Sequence, residues 1–276
     1  MKLLAYERLG LRLAVWETGE GQAMVFQHGL CGDAGQPAEV FPAASGWRCV
    51  TLECRGHGQS EAGKPEEFSI ATFSGDVVSM IEASKLAPVV LGGISMGAAM
   101  SLRIAARRPD LVRGLVLARP AWMAENASAN MRPNALVGEL LRRFPAPEAR
   151  VQFEASETAR ELSRAAPDNL TSLRGFFSRE PIEITRELLC RISADGPGVT
   201  EEQIRAIRTP AMVIGTARDF VHPLEMAREL ALWIPGAEMV EITPKAVSRD
   251  EYCADFRAAV ASFLKRVERR AESGGD

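Results

Sequence analysis

Ser95 sits inside the string Gly93-Ile94-Ser95-Met96-Gly97. A buried-type run, Val89-Val90-Leu91, precedes it, and a stretch with helical spacing follows over residues 96–108, ending before Pro109. A strand that turns straight into a helix around one serine holds that serine in a strained backbone conformation, and glycines on both flanks leave room for it. The turn points the hydroxyl off the end of the sheet. The next amide, on Met96, opens the helix, where unpaired N–H groups and the dipole favour negative charge. A hydroxyl beside a place for a developing oxyanion is equipment for acyl transfer. The plainer reading is a tight structural turn. A serine at its free pKa is a poor nucleophile, so acyl transfer also requires a positioned base.

The elements around this turn alternate. Apolar runs at 24–27, 49–53, 88–94 and 114–118 read as strands, and so do 211–215 and 239–242. Helical spacing occupies 70–85, 96–108, 223–233 and 249–267, with Ile70, Phe73, Val77, Met80 and Ile81 near one face of the first. Such alternation predicts right-handed βαβ crossovers and a largely parallel sheet. Residues 3–17 read as a hairpin turning near Leu9-Gly10, adding antiparallel edge strands. The middle differs. Leu136, Val137, Leu140, Leu141 and Phe144 follow helical spacing, as do Leu170, Leu173, Phe176 and Phe177, and prolines punctuate the stretch into short helices. The expected organisation is an α/β core over residues 1–119 and 207–276, with a helical lid at 120–206. The last residues, 271–276, are small and polar and are expected to fray.

Composition bounds the function. The chain has 276 residues, 46% hydrophobic, which is ample for a core and excludes disorder. A net charge of −3 lacks the basic footprint of a nucleic-acid binder. No apolar run reaches the roughly 18 residues of a membrane span, and residues 1–10 lack a signal-peptide core. The expectation is a cytoplasmic protein with no membrane partner. Five cysteines, odd in number and without CxxC spacing, read as reduced thiols rather than disulfides or a zinc site. No metal cluster or nucleotide loop is visible, so no cofactor and no metal are implied. The expected partner is a small-molecule substrate, and nothing in the sequence sets the oligomeric state.

The motifs together resemble the α/β-hydrolase superfamily over nearly the whole chain. His28-Gly29-Leu30-Cys31 is similar to its HG oxyanion loop, and Arg55-Gly56-His57-Gly58-Gln59-Ser60 to its RGHGxS turn. Residues 93–97 resemble its nucleophile elbow. Gly215-Thr216-Ala217-Arg218-Asp219 is placed like its acid-bearing loop, and the helical stretch resembles its lid. The resemblance implies an α/β-hydrolase fold, Ser95 as nucleophile and Asp219 as acid. It implies that the backbone N–H groups of Leu30 and Met96 form the oxyanion hole. Such donors act in a water-poor site, where each is worth about 3 kcal/mol of barrier.

One part of that pattern is missing. The family's histidine base lies in the loop after the last strand, and here Thr243-Pro244-Lys245-Ala246-Val247-Ser248 contains none. The chain has three histidines, His28, His57 and His222. His222 is favoured by reach, because it lies three residues after Asp219 on a loop already beside the elbow. Its plainer reading is a surface or cap-like histidine before Pro223. Lys245 lies nearest the missing base in chain order, but as a base it must shed its charge at a cost of about 1.4 kcal/mol per pKa unit; a solvated lysine is the plainer reading. His28 and His57 read as residues that shape the neighbouring turns. Cys31 reads as a small packed residue rather than a nucleophile, since no basic partner is near it in sequence. Glu53 reads as an acceptor that braces a loop. The aromatics Trp122, Phe144, Phe153, Phe176 and Phe177 read mainly as lid core. Arg119 and Arg174 lie near the expected mouth and are candidates for an acidic substrate, although most arginines are solvated or paired.

Two functions follow. An intact elbow and Asp219 favour a serine hydrolase for a small ester or lactone with a non-standard base. The missing histidine favours a catalytically degenerate relative that binds a small ligand or does non-hydrolytic chemistry.

Overall fold

The structure is a computed structural model, and it describes residues 1–43 and 45–273. The chain opens with β1 (Lys2–Arg8), β2 (Leu11–Gly19) and β3 (Gln22–Gln27), then a short helix α1 (Gly35–Val40) and β4 (Trp47–Leu52). It continues through α2 (Ile70–Ala83), β5 (Val89–Ile94), α3 (Met96–Arg107) and β6 (Val112–Ala118). Six helices follow without a strand: α4 (Arg132–Arg143), α5 (Ala146–Ala155), α6 (Glu157–Ala165), α7 (Pro167–Phe176), α8 (Ile182–Ser193) and α9 (Glu201–Arg205). The chain closes with β7 (Ala211–Thr216), α10 (Leu224–Trp233), β8 (Glu238–Ile242) and α11 (Arg249–Ser273).

One eight-stranded sheet runs β1-β2-β4-β3-β5-β6-β7-β8. The β1–β2 and β2–β4 pairs are antiparallel and the rest are parallel. This is the α/β-hydrolase fold, with the hairpin of residues 2–19 as its antiparallel edge. The central strand β5 is buried along its whole length, as its unbroken run of Val, Leu, Gly and Ile requires. One apolar cluster joins Leu91, Leu115 and Val213 to Met100 and Leu102 of α3, and another joins Phe26, Val90, Val116 and Ile214 to Phe256 and Phe263 of α11. Helices therefore cover both faces of the sheet.

Two boundaries differ from expectation. Helix α1 has no counterpart in the sequence reading, because it is short, opens on Gly35 and carries Pro37, and so shows no apolar period. Helix α11 runs to Ser273, beyond residue 267, where the expected helix ends. Of the tail expected to fray, residues 274–276 lie outside the described residues.

The β5–α3 junction is where the fold sets up chemistry. Ser95 has φ 57 and ψ −111, a conformation open to an L-residue only at a strain cost. The two flanking glycines permit it for separate reasons. A Cβ on Gly93 would lie 2.2 Å from the backbone carbon of Gly97, and one on Gly97 would lie 2.4 Å from the carbonyl oxygen of Gln27 at the end of β3. The elbow is thus wedged between its own strand and the neighbouring one. Gly97→Ala should destabilise the fold by about 1–3 kcal/mol, the range for an overpacked interior. Urea unfolding should show a lowered midpoint with an unchanged slope.

Candidate active site

Ser95, only 8% exposed, stands at the C-terminal end of β5, where ligands of parallel sheets bind. Its Oγ is 2.8 Å from Nε2 of His222. On the far side of the imidazole, Nδ1 is 2.9 and 3.0 Å from the two carboxylate oxygens of Asp219. The loop after β7 carries both residues, and the backbone N–H of His222 also donates to Asp219 Oδ1 at 3.1 Å. This local bond curls the loop so that a three-residue separation places the ring across the face of the carboxylate. Hydroxyl, imidazole and carboxylate therefore lie in one line of contacts.

Asp219 is buried and accepts from several donors. Arg119, just past the end of β6, gives Nε and Nη2 to Oδ2 at 2.8 and 2.6 Å. Asn169, on α7, gives Nδ2 to Oδ1 at 2.9 Å. The Asn169 carbonyl oxygen in turn accepts from the N–H groups of Phe220 and Val221 at 2.7 and 3.1 Å, clamping the acid loop. Burial alone would raise the carboxyl pKa, but the Arg119 charge, with His222 and Asn169, holds it far below the usual carboxylate range.

Asp219 also sets the imidazole's tautomer. Both of its oxygens lie closer to Nδ1 than the 3.1 Å of Arg119 Nη2, and an ionised carboxylate can only accept. Nδ1–H therefore donates to the carboxylate, and Nε2 is left with a lone pair facing the Ser95 hydroxyl. Burial is the largest influence on His222 and lowers its pKa; Asp219 raises it and Arg119 lowers it again, leaving the ring below its ordinary 6.5. A neutral imidazole so placed can accept a hydroxyl proton.

Leu30 follows β3 in the His28–Cys31 loop, and Met96 opens α3. Among the described residues neither backbone N–H has an acceptor. The loop is braced by both remaining histidines. His28 donates Nδ1–H to the Gly29 carbonyl and accepts from Cys54 N at Nε2, at 2.8 and 3.0 Å. His57 donates to the Arg55 carbonyl and accepts from Cys31 N, both at 3.0 Å. Each ring uses one donor and one acceptor, so each is neutral, and burial lowers both pKa values. Glu53 ties the same region by accepting from the N–H groups of Ala34 and Gln59.

The other sequence candidates stand outside the contact line of Ser95, His222 and Asp219 or are spent on other partners. Lys245 is exposed. Cys31 lines the cavity beside Ser95, but burial pushes its thiol up to about 12, which leaves no thiolate near neutral pH. Arg119 is committed to Asp219 rather than to a substrate. Arg174 pairs with Glu154 at 2.7 Å and is likewise spent. Phe176 lines the cavity, while Trp122, Phe153 and Phe177 are buried in packing. The Met96 side chain is fully buried, so only its amide faces the reactive region. Asn169 carried no signal in the sequence, since a polar residue on a helix betrays nothing of a carboxylate 50 positions away.

The cavity above Ser95 and His222 holds about 390 Å³, is open to solvent in part, and is lined on its helical side by Met131 just before α4, Asn134 on α4, and Leu173 and Phe176 on α7. A family model described as the alpha/beta hydrolase fold matches residues 22–246. The chain belongs to the alpha/beta hydrolase fold family. Among relatives, a Mycobacterium tuberculosis protein with the provisional name non-heme bromoperoxidase BpoC is 30% identical over 241 residues, 84% of this chain and 89% of that one. A pyrrolizixenacetamide deacetylase of Xenorhabdus hominickii is 27% identical, over 89% of this chain and 92% of its own. Among solved structures, the enol-lactonase of Burkholderia xenovorans superposes with a TM-score of 0.73 at 25% identity, covering 95% of this chain and all of that one.

Two outcomes are expected. All three histidines are held neutral below their ordinary pKa, so the unfolded chain binds more protons once the pH drops under about 6.5, and stability must fall from there. Each ring contributes up to about 1.4 kcal/mol per pH unit until its folded pKa is reached, and urea midpoints measured from pH 8 to 5 read this loss. Second, Arg119→Gln removes a charge that opposes protonation of His222. The ring's NMR titration should move to higher pH than in the native protein, while His28 and His57 stay in place.

Proposed function

We propose that the protein is a serine hydrolase of small esters or lactones, with Ser95 as nucleophile, His222 as base and Asp219 as acid. The observation that carries this reading is the 2.8 Å contact between Ser95 Oγ and His222 Nε2, continued by Nδ1 to Asp219 at 2.9 Å. His222 takes the hydroxyl proton as Ser95 attacks the substrate carbonyl, and the carboxylate stabilises the imidazolium that forms. The N–H groups of Leu30 and Met96 receive the oxyanion. His222 then passes the proton to the leaving alcohol, which in a lactone stays tethered to the acyl group. Water, deprotonated by the same ring, releases the acid and restores Ser95. The cavity suits a small substrate. The likeness to an enol-lactonase and to a deacetylase supports carbonyl-centred hydrolysis.

A fluorophosphonate probe should label Ser95, and Ser95→Ala should abolish labelling. His222→Ala should lower ester turnover by about 10² or more, the usual contribution of a positioned base, with the circular dichroism spectrum unchanged. Lys245→Met should leave the rate as it is. Because His222 is held below 6.5, the acid limb of the rate profile should lie under that value. An unlabelled Ser95 and no turnover at any pH would instead favour the non-hydrolytic, ligand-binding reading.

A further inference from the structure

The cavity above Ser95 is lined by two arginines, Arg119 and Arg179, and by no Asp or Glu. Arg119 is neutralised from behind by Asp219. Arg179 is not. It lies in the turn between α7 and α8, partly buried, and its guanidinium is held by three uncharged acceptors. Nε donates to the Cys31 carbonyl at 3.0 Å, Nη2 to the Gly56 carbonyl at 2.9 Å and Nη1 to Thr185 Oγ1 at 2.8 Å. Among the described residues no carboxylate lies within 4.0 Å of it.

A partly desolvated charge is costly unless it is paired. Arg103 and Arg257 are likewise held by main-chain carbonyls, but neither lines the cavity above Ser95, so Arg179 is the arginine of this kind whose position bears on a ligand. Of the five N–H groups of the guanidinium, three are used for orientation and two remain. The side chain is fixed in direction and in no direct ion pair among the described residues; Asp33 and Glu180 line a neighbouring pocket on its other side, but the cavity above Ser95 brings no negative group to it. A cavity of one sign concentrates ligands of the other. The location narrows the ligand further. Arg179 is bonded to the carbonyl of Cys31, the residue directly after Leu30, so its charge stands next to the proposed oxyanion site.

We propose that Arg179 determines specificity by binding a carboxylate on the acyl part of the substrate, so that the enzyme acts on short monoesters or lactones of dicarboxylic acids. This rests on the hydrolase reading above. The acyl carbonyl oxygen sits at the N–H groups of Leu30 and Met96, and a chain of a few carbons carries the carboxylate to the two free N–H groups of Arg179. The neutral acceptors that hold the guanidinium do not compete with the ligand for its charge.

The test compares monomethyl glutarate with dimethyl glutarate, which differ in the free carboxylate. The native protein should hydrolyse the monoester with the higher kcat/KM. Arg179→Gln should lower kcat/KM for the monoester by roughly tenfold or more, mainly through KM, as expected when one partner of a desolvated charge pair is removed. The diester should change far less. A parallel fall for both esters would mean that Arg179 serves only to clamp the oxyanion loop, and would overturn the proposal. Calorimetry on the Ser95→Ala protein, with Arg179 intact, gives a reading independent of turnover and of the folding of the arginine variant. Tighter binding of the monoester than of the diester is expected there, and equal binding overturns the proposal. If neither ester is turned over and the fluorophosphonate fails, but the monoester still binds preferentially, the hydrolase reading fails while the carboxylate site stands.

Discussion

The carboxylate of Asp219 is the interaction to which the rest of the site is tied. A buried charge must find donors or lose its ionisation, and the donors found here come from three separate parts of the chain. Arg119 brings the end of β6, Asn169 brings α7 from the helical stretch, and His222 brings the remainder of its own loop. Satisfying one anion therefore aligns the imidazole, closes the acid loop and seats a covering helix above the end of the sheet. The strain at Ser95 is of the same kind: a local cost sustained by the surrounding packing, here the glycine contacts that hold β5, α3 and β3 together.

Much of this was legible from the order of residue types. Period-two and buried runs marked the strands, and the parallel order followed from helices between them. Gly93 and Gly97 announced a turn in which side chains are forbidden, and the short span from Asp219 to His222 was enough to argue that their side chains meet. What was hidden depends on long-range pairing. In sequence Arg119 reads as a solvated or paired arginine near the mouth or as a candidate for an acidic substrate, and its partner cannot be named there because that carboxylate is 100 positions away. Asn169 belongs to a short helix whose spacing reports which face is apolar, not what its polar residues reach, and Arg179 lies in a turn with no periodicity to read. Helix α1 was hidden for a local reason: six residues starting at a glycine and containing a proline leave no periodicity to detect.

His28 and His57 illustrate a different use of the same side chain. Their ring centroids lie 4.8 Å apart with the planes tilted by 42°, and the rings act as rigid connectors between backbone groups that would otherwise be buried without partners. Either ring, once protonated, loses the lone pair that accepts a main-chain N–H, so the shape of the loop around Leu30 depends on both remaining neutral.

The pairing of acid and imidazole on one loop has a mechanical consequence. When two groups are carried by separate loops, the error in their separation compounds the displacements of two independent anchors. Asp219 and His222 share one anchor, the end of β7, and the bond from the His222 main-chain N–H to the Asp219 carboxylate removes most of the remaining slack. The segment after β8 is correspondingly released from any duty of alignment: Thr243 there bonds to Asp255 of α11, Ser248 accepts from the Glu251 N–H at the start of that helix, and the exposed Lys245 and Val247 between them do not line the cavity. Tolerance to insertion thus shifts to the C-terminal edge of the sheet, and the geometric precision of the site is concentrated in four consecutive residues.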